Sequence, residues 1–154
     1  MADPDLHILV IHGPNLNQLG RREPAIYGRV TLAEIDRRLA ERGGELGVRV
    51  STFQSNHEGA IIDRVQELQD AVQGLVINPG ALTHYGLSLR DCLSGLDRPV
   101  VEVHLSNVYA RPEEWRHHSV VAPVALGQLA GFGWRGYLAG LDLLVQHLRE
   151  RAAG

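Results

Sequence analysis

The sequence predicts an α/β protein in which helices cover both faces of a five-stranded parallel sheet, and three observations support this prediction. Short apolar runs of strand length alternate along the chain with longer segments of helical periodicity. The segments between successive strands are too long for hairpins, so the strands are expected to run parallel. The first run, at residues 6–11, is apolar almost throughout, which is typical of a strand buried on both faces of a parallel sheet.

The length and composition fit one globular domain over residues 1–154. The chain is 44% hydrophobic and 21% charged, values near the averages of folded proteins. Its formal net charge is -3 and its arginines form no large cluster, which disfavours nucleic-acid binding. No apolar run approaches the ~20 residues of a membrane span. The single cysteine, Cys92, and a start without a signal-peptide pattern predict a cytoplasmic protein.

The predicted elements alternate regularly along the chain. Strands are expected at residues 6–11, 48–53, 74–77, 99–103 and 120–126. The second strand alternates apolar and polar side chains, which indicates an edge position. After the first helix, further helices are expected at about residues 58–72, 85–96, 112–118 and 137–151. The glycine-rich stretch at 127–136 is expected to be a loose connection.

The first helix has both a start signal and a stop signal. Thr31 and Glu34 form a capping box ahead of an apolar stripe. The Gly43-Gly44 pair is expected to end this helix. Together the elements predict a flavodoxin-like three-layer sandwich.

Polar side chains follow three of the predicted strands. In an open parallel sheet, ligands bind beyond the carboxyl ends of the strands, where the strand order reverses. Histidines, arginines, amides and a tyrosine all fall at that edge, which indicates a site for a small polar anion. The residues concerned are Asn15, Arg22 and Tyr27 after the first strand, Asn78, Gly80 and His84 after the third, and His104, Ser106, Arg111 and Arg116 after the fourth.

Each of these residues also has an ordinary structural interpretation. Asn15 follows Gly-Pro and could be a turn residue, Tyr27 could be an interface aromatic, and the arginine pair at 21–22 could form surface salt bridges. A metal site is not indicated, because no H-x-x-x-H spacing or cysteine partner accompanies the histidines. Taken singly, none of these residues indicates catalysis, and only the combination of all of them at one edge favours it.

A binding or receiver module of the same fold is the alternative from another functional class. A receiver needs an acidic pocket and a late lysine, and this sequence contains neither. A flavin or nucleotide binder needs a phosphate-binding loop, but the glycines in residues 13–20 match neither G-x-G-x-x-G nor G-x-x-x-x-G-K-[ST].

Six segments, in order, resemble the type II 3-dehydroquinate dehydratases: GPNLN, LGRREPAIYG, QSNHEG, INPGALTH, VEVHLSNVYAR and WRHHS. The resemblance extends from residue 8 to the final helix. It implies a flavodoxin-like fold, no cofactor, and a homododecamer built as a tetramer of trimers. The activity it implies is dehydration of 3-dehydroquinate to 3-dehydroshikimate by trans elimination, in the shikimate pathway or in quinate catabolism.

The resemblance also implies catalytic roles for individual residues. Tyr27 resembles the base that takes a proton from the carbon beside the ketone. Arg22 resembles the arginine, on a mobile lid, that favours the ionised form of that tyrosine. His104 resembles the general acid for the departing hydroxyl. Asn15 matches the asparagine that helps to hold a water against the enolate oxygen.

The substrate-binding residues are likewise implied by the resemblance. Asn78 and the backbone N–H groups of Leu105 and Ser106 match the groups that bind the substrate carboxylate. The remaining matches are His84 and Arg116, which contact the ring hydroxyls, and Asp91, which reaches in from a neighbouring subunit.

The chemistry of these residue types agrees with those roles. A free phenol has a pKa of ~10 and is a poor base near neutrality, but a close arginine favours the phenolate. Glu102 precedes His104 by two residues, hence on the same strand face, and could hold its ring oriented and protonated. The sequence contains no lysine, which rules out a Schiff base and leaves an enolate route.

The sequence departs from the pattern of the family in two places. Residues 110–116, ARPEEWR, are one residue longer than the usual A-R-E-x-F-R, which changes the register that aims Arg116. Tyr85 and Gly86 stand where the family tends to have Thr-Ser. Both changes fall close to expected substrate or subunit contacts.

Overall fold

The computed structural model describes residues 5–21 and 23–154, and these contain one five-stranded parallel sheet. The strands are β1 (His7–His12), β2 (Arg49–Gln54), β3 (Gly74–Asn78), β4 (Val100–His104) and β5 (Gly127–Ala130). Their order is β2-β1-β3-β4-β5. β2 and β3 therefore lie on opposite sides of β1, and the strand order reverses there. The predicted parallel sheet and the edge position of β2 are confirmed.

Helices cover both faces of this sheet. The covering helices are α2 (Leu32–Leu46), α3 (Glu58–Leu68), α4 (Leu87–Gly95) and α5 (Arg135–Ala153), whereas the short α1 (Pro24–Tyr27) lies in the loop after β1. Buried residues of α2 and α5 belong to one core cluster, and those of α3 and α4 belong to a second cluster on the other face. The flavodoxin-like three-layer sandwich is thereby confirmed. In the described part of the chain, no helix combines the length and the apolar character that crossing a membrane requires.

The prediction that Gly43-Gly44 ends the first helix is wrong. α2 continues to Leu46 and is terminated by Gly47, which adopts the left-handed conformation at φ 73°. A Cβ atom at Gly43 would lie 2.7 Å from Val50 Cγ2. Gly43 is thus required for the close approach of α2 to β2 and does not stop the helix.

The fifth strand was predicted too early in the chain. Residues 120–126 contain a short 3-10 helix, Ala122–Val124, whereas β5 lies in the glycine-rich stretch that was expected to be loose. The apolar character of the earlier segment comes from Val121, which is buried against the core on the α3 and α4 face. β5 is short and half-exposed at the sheet edge, so its sequence lacks the apolar run of an inner strand.

Smaller differences concern the ends of the helices. The helix expected at 58–72 ends at Leu68, and the one expected at 85–96 begins at Leu87 because Tyr85 has a non-helical backbone. The short helix expected at 112–118 is a 3-10 segment, Glu114–His117. A further 3-10 segment, Gly80–His84, follows β3 directly and brings its side chains to the carboxyl edge of the sheet.

Candidate active site

A cavity lies beyond the carboxyl ends of β1, β3 and β4, at the edge where the sequence predicts the site. Histidine, arginine, tyrosine and amide side chains line it, which suits a small polar ligand. The loops that follow these three neighbouring strands form its walls. The predicted site residues that line it are Asn15, Tyr27, Asn78, Gly80, His84, His104, Leu105, Ser106, Arg111 and Arg116.

The other predicted site residues lie elsewhere. Glu102 is fully buried on β4 and contacts His104 from behind the cavity. Asp91 is exposed on α4, and its expected contact concerns a neighbouring subunit. Arg22 lies outside the described residues.

Glu102 holds the ring of His104. Residues two apart on a strand point to the same face, and His104 Nε2 makes a hydrogen bond with Glu102 Oε2. Both side chains are buried. Because a carboxylate oxygen only accepts, Nε2 carries the hydrogen, and Nδ1 is the ring nitrogen left for a ligand in the cavity. A protonated ring can therefore donate from Nδ1 while Nε2 stays bound to Glu102.

Donors from three further segments surround the carboxylate of Glu102. Thr83 Oγ1 donates to it at 2.6 Å, Ser119 Oγ at 3.0 Å and Gln128 Nε2 at 3.1 Å. Burial raises the pKa of Glu102, but the hydrogen bonds and the charge of its partners outweigh burial and hold the pKa below its ordinary value. Glu102 is therefore ionised near neutrality, and it serves as the hydrogen-bond acceptor that orients the His104 ring.

The phenol of Tyr27 contacts Arg111. Arg111 Nη1 donates to the Tyr27 hydroxyl oxygen at 3.1 Å, and the guanidinium carbon lies 5.5 Å from the centre of the ring. The same Nη1 lies 3.4 Å from Ser106 Oγ. Tyr27 is half-exposed at the cavity wall. This contact fixes the Tyr27 hydroxyl at the cavity wall, next to a permanent positive charge.

Asn15 is held in an unusual backbone conformation. Its φ angle is 71°, a left-handed conformation that asparagine tolerates better than most residues. The side chain of Asn56, from the turn after β2, accepts a hydrogen bond from the Asn15 N–H at 3.0 Å. A Cβ atom at Gly13 would lie 2.3 Å from the backbone oxygen of Pro79, so only glycine lets the loops after β1 and β3 approach this closely.

Three donors lie side by side at the ends of β3 and β4. Asn78 is the last residue of β3, and Leu105 and Ser106 follow β4 directly. The Gly80 N–H donates to Asn78 Oδ1 at 3.1 Å, which leaves the Asn78 amino group to donate. Together with backbone N–H groups, an amide donor is well suited to bind a carboxylate.

His84 and Arg116 form the opposite wall. His84 Nδ1 donates to the His118 carbonyl at 2.7 Å, so Nε2 is left as an acceptor. Burial lowers the pKa of His84, and the positive charge of Arg116 acts in the same direction. The Trp115 ring lies 5.1 Å from the His84 ring and 4.2 Å from the Arg116 guanidinium carbon. Arg116 thus reaches the cavity despite the extra residue before it, whereas Tyr85 is 64% exposed.

Sequence reasoning missed the partners of the predicted residues. Thr83 and Ser119 lie inside quoted motifs but received no role, and Arg111 was placed at the edge without a partner. Gln128 was missed because the fifth strand was misplaced. Its position opposite Glu102 in the register of β4 and β5 follows only once that strand is placed correctly.

Comparisons with known proteins identify one family over most of the chain. Residues 6–145 match the family model described as Dehydroquinase class II. A 3-dehydroquinate dehydratase from Roseiflexus castenholzii is 61% identical over 140 residues, which cover 91% of this chain and 88% of that relative. One from Herpetosiphon aurantiacus is 55% identical over 141 residues, which cover 92% of this chain and 97% of that relative.

Solved structures show the same architecture. A type II dehydroquinase from Propionibacterium acnes superposes with a TM-score of 0.88 at 43% identity, covering 94% of this chain and 99% of that one. One from Butyrivibrio crossotus gives a TM-score of 0.89 at 46% identity, covering 91% of this chain and 97% of that one. The chain therefore belongs to the class II dehydroquinase family.

Proposed function

We propose that this chain dehydrates 3-dehydroquinate to 3-dehydroshikimate by trans elimination through an enolate, in the shikimate pathway or in quinate catabolism. The main support is that one cavity is lined both by a tyrosine in contact with an arginine and by a histidine paired with a buried carboxylate. Removing a proton and a hydroxyl from a β-hydroxyketone needs one base and one acid. Membership of the class II dehydroquinase family supports this choice of substrate.

Tyr27 is the base in this proposal. Its phenolate takes the proton from the carbon beside the ketone, and the electron pair of that C–H bond moves to the ketone oxygen to form an enolate. Arg111 favours the phenolate through its contact with the hydroxyl. Arg22 is proposed as a second arginine with the same effect. Asn15 is proposed to hold a water against the enolate oxygen, where negative charge develops.

His104 is the acid in this proposal. Its Nδ1–H donates a proton to the departing hydroxyl as the C–O bond breaks, and the enolate electrons form the new C=C bond. One water leaves for each turnover. Glu102 holds the ring through Nε2 and leaves Nδ1 for the substrate. Tyr27 then loses its proton and His104 regains one from solvent, which restores both groups.

The remaining residues bind the substrate. Asn78 and the N–H groups of Leu105 and Ser106 are proposed to hold the carboxylate. His84 Nε2 accepts from a ring hydroxyl and Arg116 donates to another. The neutral state of His84, favoured by its burial, suits an acceptor role.

We also propose that the chain works as a homododecamer, a tetramer of trimers. Asp91 is exposed on α4 and would reach the cavity of a neighbouring subunit. Large apolar side chains are exposed near the edge strand β5, with Leu126 50% and Phe132 66% accessible, and such surfaces favour contacts between subunits. The proposal that the enzyme is cytoplasmic rests on the sequence, with its single cysteine.

The reaction is proposed to need no cofactor and no Schiff base. A Schiff base requires a lysine, and all 15 basic Lys or Arg residues of the chain are arginines. The acid and base roles are filled by side chains of the chain itself.

The direct test is to incubate the purified protein with 3-dehydroquinate and follow the ultraviolet absorbance of the conjugated enone. We expect turnover that persists in the presence of a chelator. The enzyme should also keep its activity after treatment with substrate and borohydride and removal of the reagent, because reduction of an imine would inactivate it. The visible spectrum of the same preparation tests the alternative function, because a yellow protein without turnover would indicate a flavin binder. Light scattering during turnover that returned a ~17 kDa particle, the mass of one chain, would contradict the assembly.

A further inference from the structure

A pair of side-chain amides joins the loop after β1 to the end of β2 and the turn that follows it. Gln54 Nε2 donates to the Gly13 carbonyl at 3.2 Å and to Asn56 Oδ1 at 3.1 Å. Asn56 Oδ1 also accepts from the Asn15 N–H at 3.0 Å. We call the side chains of Gln54 and Asn56 the amide clamp. Neither residue has a role in the function proposed above.

The backbone groups that the amide clamp contacts determine the orientation of each amide. The Asn15 N–H can only donate, so the Asn56 atom that faces it is the oxygen. The Gly13 carbonyl can only accept, so the Gln54 atom that faces it is the nitrogen. The third hydrogen bond, from Gln54 to Asn56, agrees with both assignments. The two hydrogens of Gln54 Nε2 and the two lone pairs of Asn56 Oδ1 are thereby all used.

The sheet places the amide clamp beside the loop that follows β1. Gln54 is the last residue of β2 and is the register partner of His12, the last residue of β1. On the other side of β1, the Gly13 N–H donates to the Asn78 carbonyl at 2.7 Å. The chain that leads to Asn15 is therefore held from both neighbouring strands.

The amide clamp acts on a backbone conformation that needs support. Asn15 has a φ angle of 71°, and a left-handed backbone is less favourable than a right-handed one for residues other than glycine. The Asn15 carbonyl accepts from the Gln18 N–H at 3.0 Å, so both backbone polar groups of Asn15 are bonded. Within the described residues, the Asn15 side chain makes no hydrogen bond that caps the 3-10 helix Leu16–Gln18. This side chain is therefore left for the cavity, which it lines.

We propose that Asn56 and Gln54 are positioning residues that hold Asn15 in the conformation that turns its amide toward the enolate oxygen. The direction of a side chain depends on the φ angle of its residue, and Asn56 restrains that angle through the Asn15 N–H. In a right-handed conformation Asn15 would direct its amide elsewhere, and the water proposed to lie against the enolate oxygen would lose a partner. This inference rests on the proposed function, in which Asn15 holds that water.

The test is Asn56→Ala, which removes the acceptor of the Asn15 N–H. We expect kcat to fall about tenfold, the effect of losing one hydrogen bond. Exchange of the proton beside the ketone should fall by the same factor, because exchange and elimination both pass through the enolate. KM should stay within about twofold, because the lost stabilisation develops with the negative charge of the enolate. Asn56→Asp keeps an oxygen acceptor and should recover most of kcat.

Three results of this test overturn the proposal. The first is an unchanged kcat in Asn56→Ala, and the second is an equal kcat in Asn56→Ala and Asn56→Asp. The third is a raised KM with unchanged kcat and unchanged exchange, which would mean that the turn after β2 only contacts the substrate.

Two comparisons separate positioning from general loosening of the fold. The matched control is Gln73→Ala, because Gln73 Oε1 accepts from the His7 N–H at 2.7 Å at the opposite end of β1. It should leave kcat and exchange unchanged. Asn15→Gly removes the amide but adopts a left-handed backbone freely. Adding Asn56→Ala to it should cause no further loss of kcat, because Asn56 acts through Asn15. A further loss, or a loss in Gln73→Ala equal to that in Asn56→Ala, overturns the proposal.

Gln54→Glu tests the amide clamp from its other residue, should Asn56→Ala fail to fold. The change keeps the size of the side chain but replaces its amino group with an oxygen, which cannot donate to Gly13 or to Asn56. Asn56 would then turn its own amino group toward the new carboxylate and its oxygen away from the Asn15 N–H. We expect kcat to fall about tenfold with KM unchanged, and an unchanged kcat overturns the proposal.

The outcomes distinguish this inference from the proposed function. If Asn15→Gly lowers kcat but neither Asn56→Ala nor Gln54→Glu does, the positioning role alone fails. If Asn15→Gly leaves kcat unchanged, the water-holding role of Asn15 fails, and the positioning role with it. A wild-type protein without 3-dehydroquinate turnover removes the proposed function, and this inference with it.

Discussion

The two sides of the cavity hold their reactive groups in different ways. On the acid side, His104 ends an inner strand, is buried, and pairs with a carboxylate that receives hydrogen bonds from Thr83, Ser119 and Gln128. On the base side, Tyr27 ends a four-residue helix in a long loop and is half-exposed. Its hydroxyl is contacted by Arg111, which is 84 residues away in the sequence.

This difference indicates how each group is held in place. The acid side is preorganised by the sheet, and Thr83, Ser119 and Gln128 all donate to one carboxylate. The base side is assembled from two loops, which the contact of Tyr27 with Arg111 joins. Loss of Arg111 should therefore affect the base more than loss of one donor to Glu102 affects the acid.

The largest effect is expected from Tyr27→Phe, which removes the base. Both product formation and exchange of the proton beside the ketone with deuterated solvent should fall, by about 10⁴-fold, because no other group replaces the phenolate. NMR in deuterated buffer measures the exchange, and enone absorbance measures the product. The control Tyr109→Phe changes an exposed tyrosine and should leave both product formation and proton exchange unchanged. Unchanged turnover in Tyr27→Phe would assign the base to another residue.

The next largest effect is expected from His104→Ala, and it should be selective. A hydroxide ion leaves slowly unless it is protonated, so product formation should fall by roughly 10³-fold. Proton exchange should continue, because Tyr27 and Arg111 belong to other loops. Equal loss of exchange and product would mean that His104 acts in binding or in the ionisation of Tyr27, and the division into two sides would have to be abandoned.

An intermediate effect is expected from Arg111→Ala. Without the guanidinium, the hydroxyl of Tyr27 loses a donor that fixes its position at the cavity wall. Turnover near neutrality should therefore fall about 10- to 100-fold, equivalent to about 1.4–2.7 kcal/mol. Arg111→Lys keeps the charge and should retain part of the activity. A raised KM with unchanged kcat and unchanged proton exchange would indicate that Arg111 only binds substrate.

The fold was predictable because its signals are local. Apolar strand runs and the Thr31 capping box, in which Thr31 Oγ1 accepts from the Glu34 N–H, each depend on a few neighbouring residues. Gly43 and β5 were misassigned because their environments are tertiary. The close approach of α2 to β2 at Gly43 produces no periodic pattern in the sequence. The exposed position of β5 at the sheet edge likewise gives it no apolar run.

The candidate site was predictable to the extent that it follows strand ends. Tyr27 and His104 were brought to one edge by the sheet rule alone, and their geometry is consistent with the roles that the family resemblance implies. The contacts of Tyr27 with Arg111 and of Glu102 with Gln128 could not be derived, because they join segments far apart in the sequence. The position of Arg22 lies outside the described residues, so its role stays a prediction.

The smallest effect is expected from Thr83→Val, which removes one of the donors to Glu102 without changing the shape of the side chain. Ser119 and Gln128 still donate to the carboxylate, so turnover should fall only about threefold, equivalent to less than about 1 kcal/mol. Stability should fall by about 1.5–3 kcal/mol, the usual contribution of a hydrogen bond to a charged group. The control Thr52→Val changes an exposed residue of β2 and should change neither quantity.

The pH dependence of that stability loss identifies the carboxylate as its origin. The pKa of Glu102 is lower in the folded protein than its ordinary value, so ionised Glu102 contributes stability above its unfolded pKa, and this contribution is lost as pH falls through the folded pKa. Thr83→Val raises the folded pKa toward the ordinary value. The difference in melting temperature between wild type and variant should therefore be largest near neutrality and should shrink as pH falls below about 4. A difference that stays constant down to acid pH would mean that Thr83 stabilises the fold through its contact with Ser119, and the acid side would then be less redundant than its hydrogen bonds indicate.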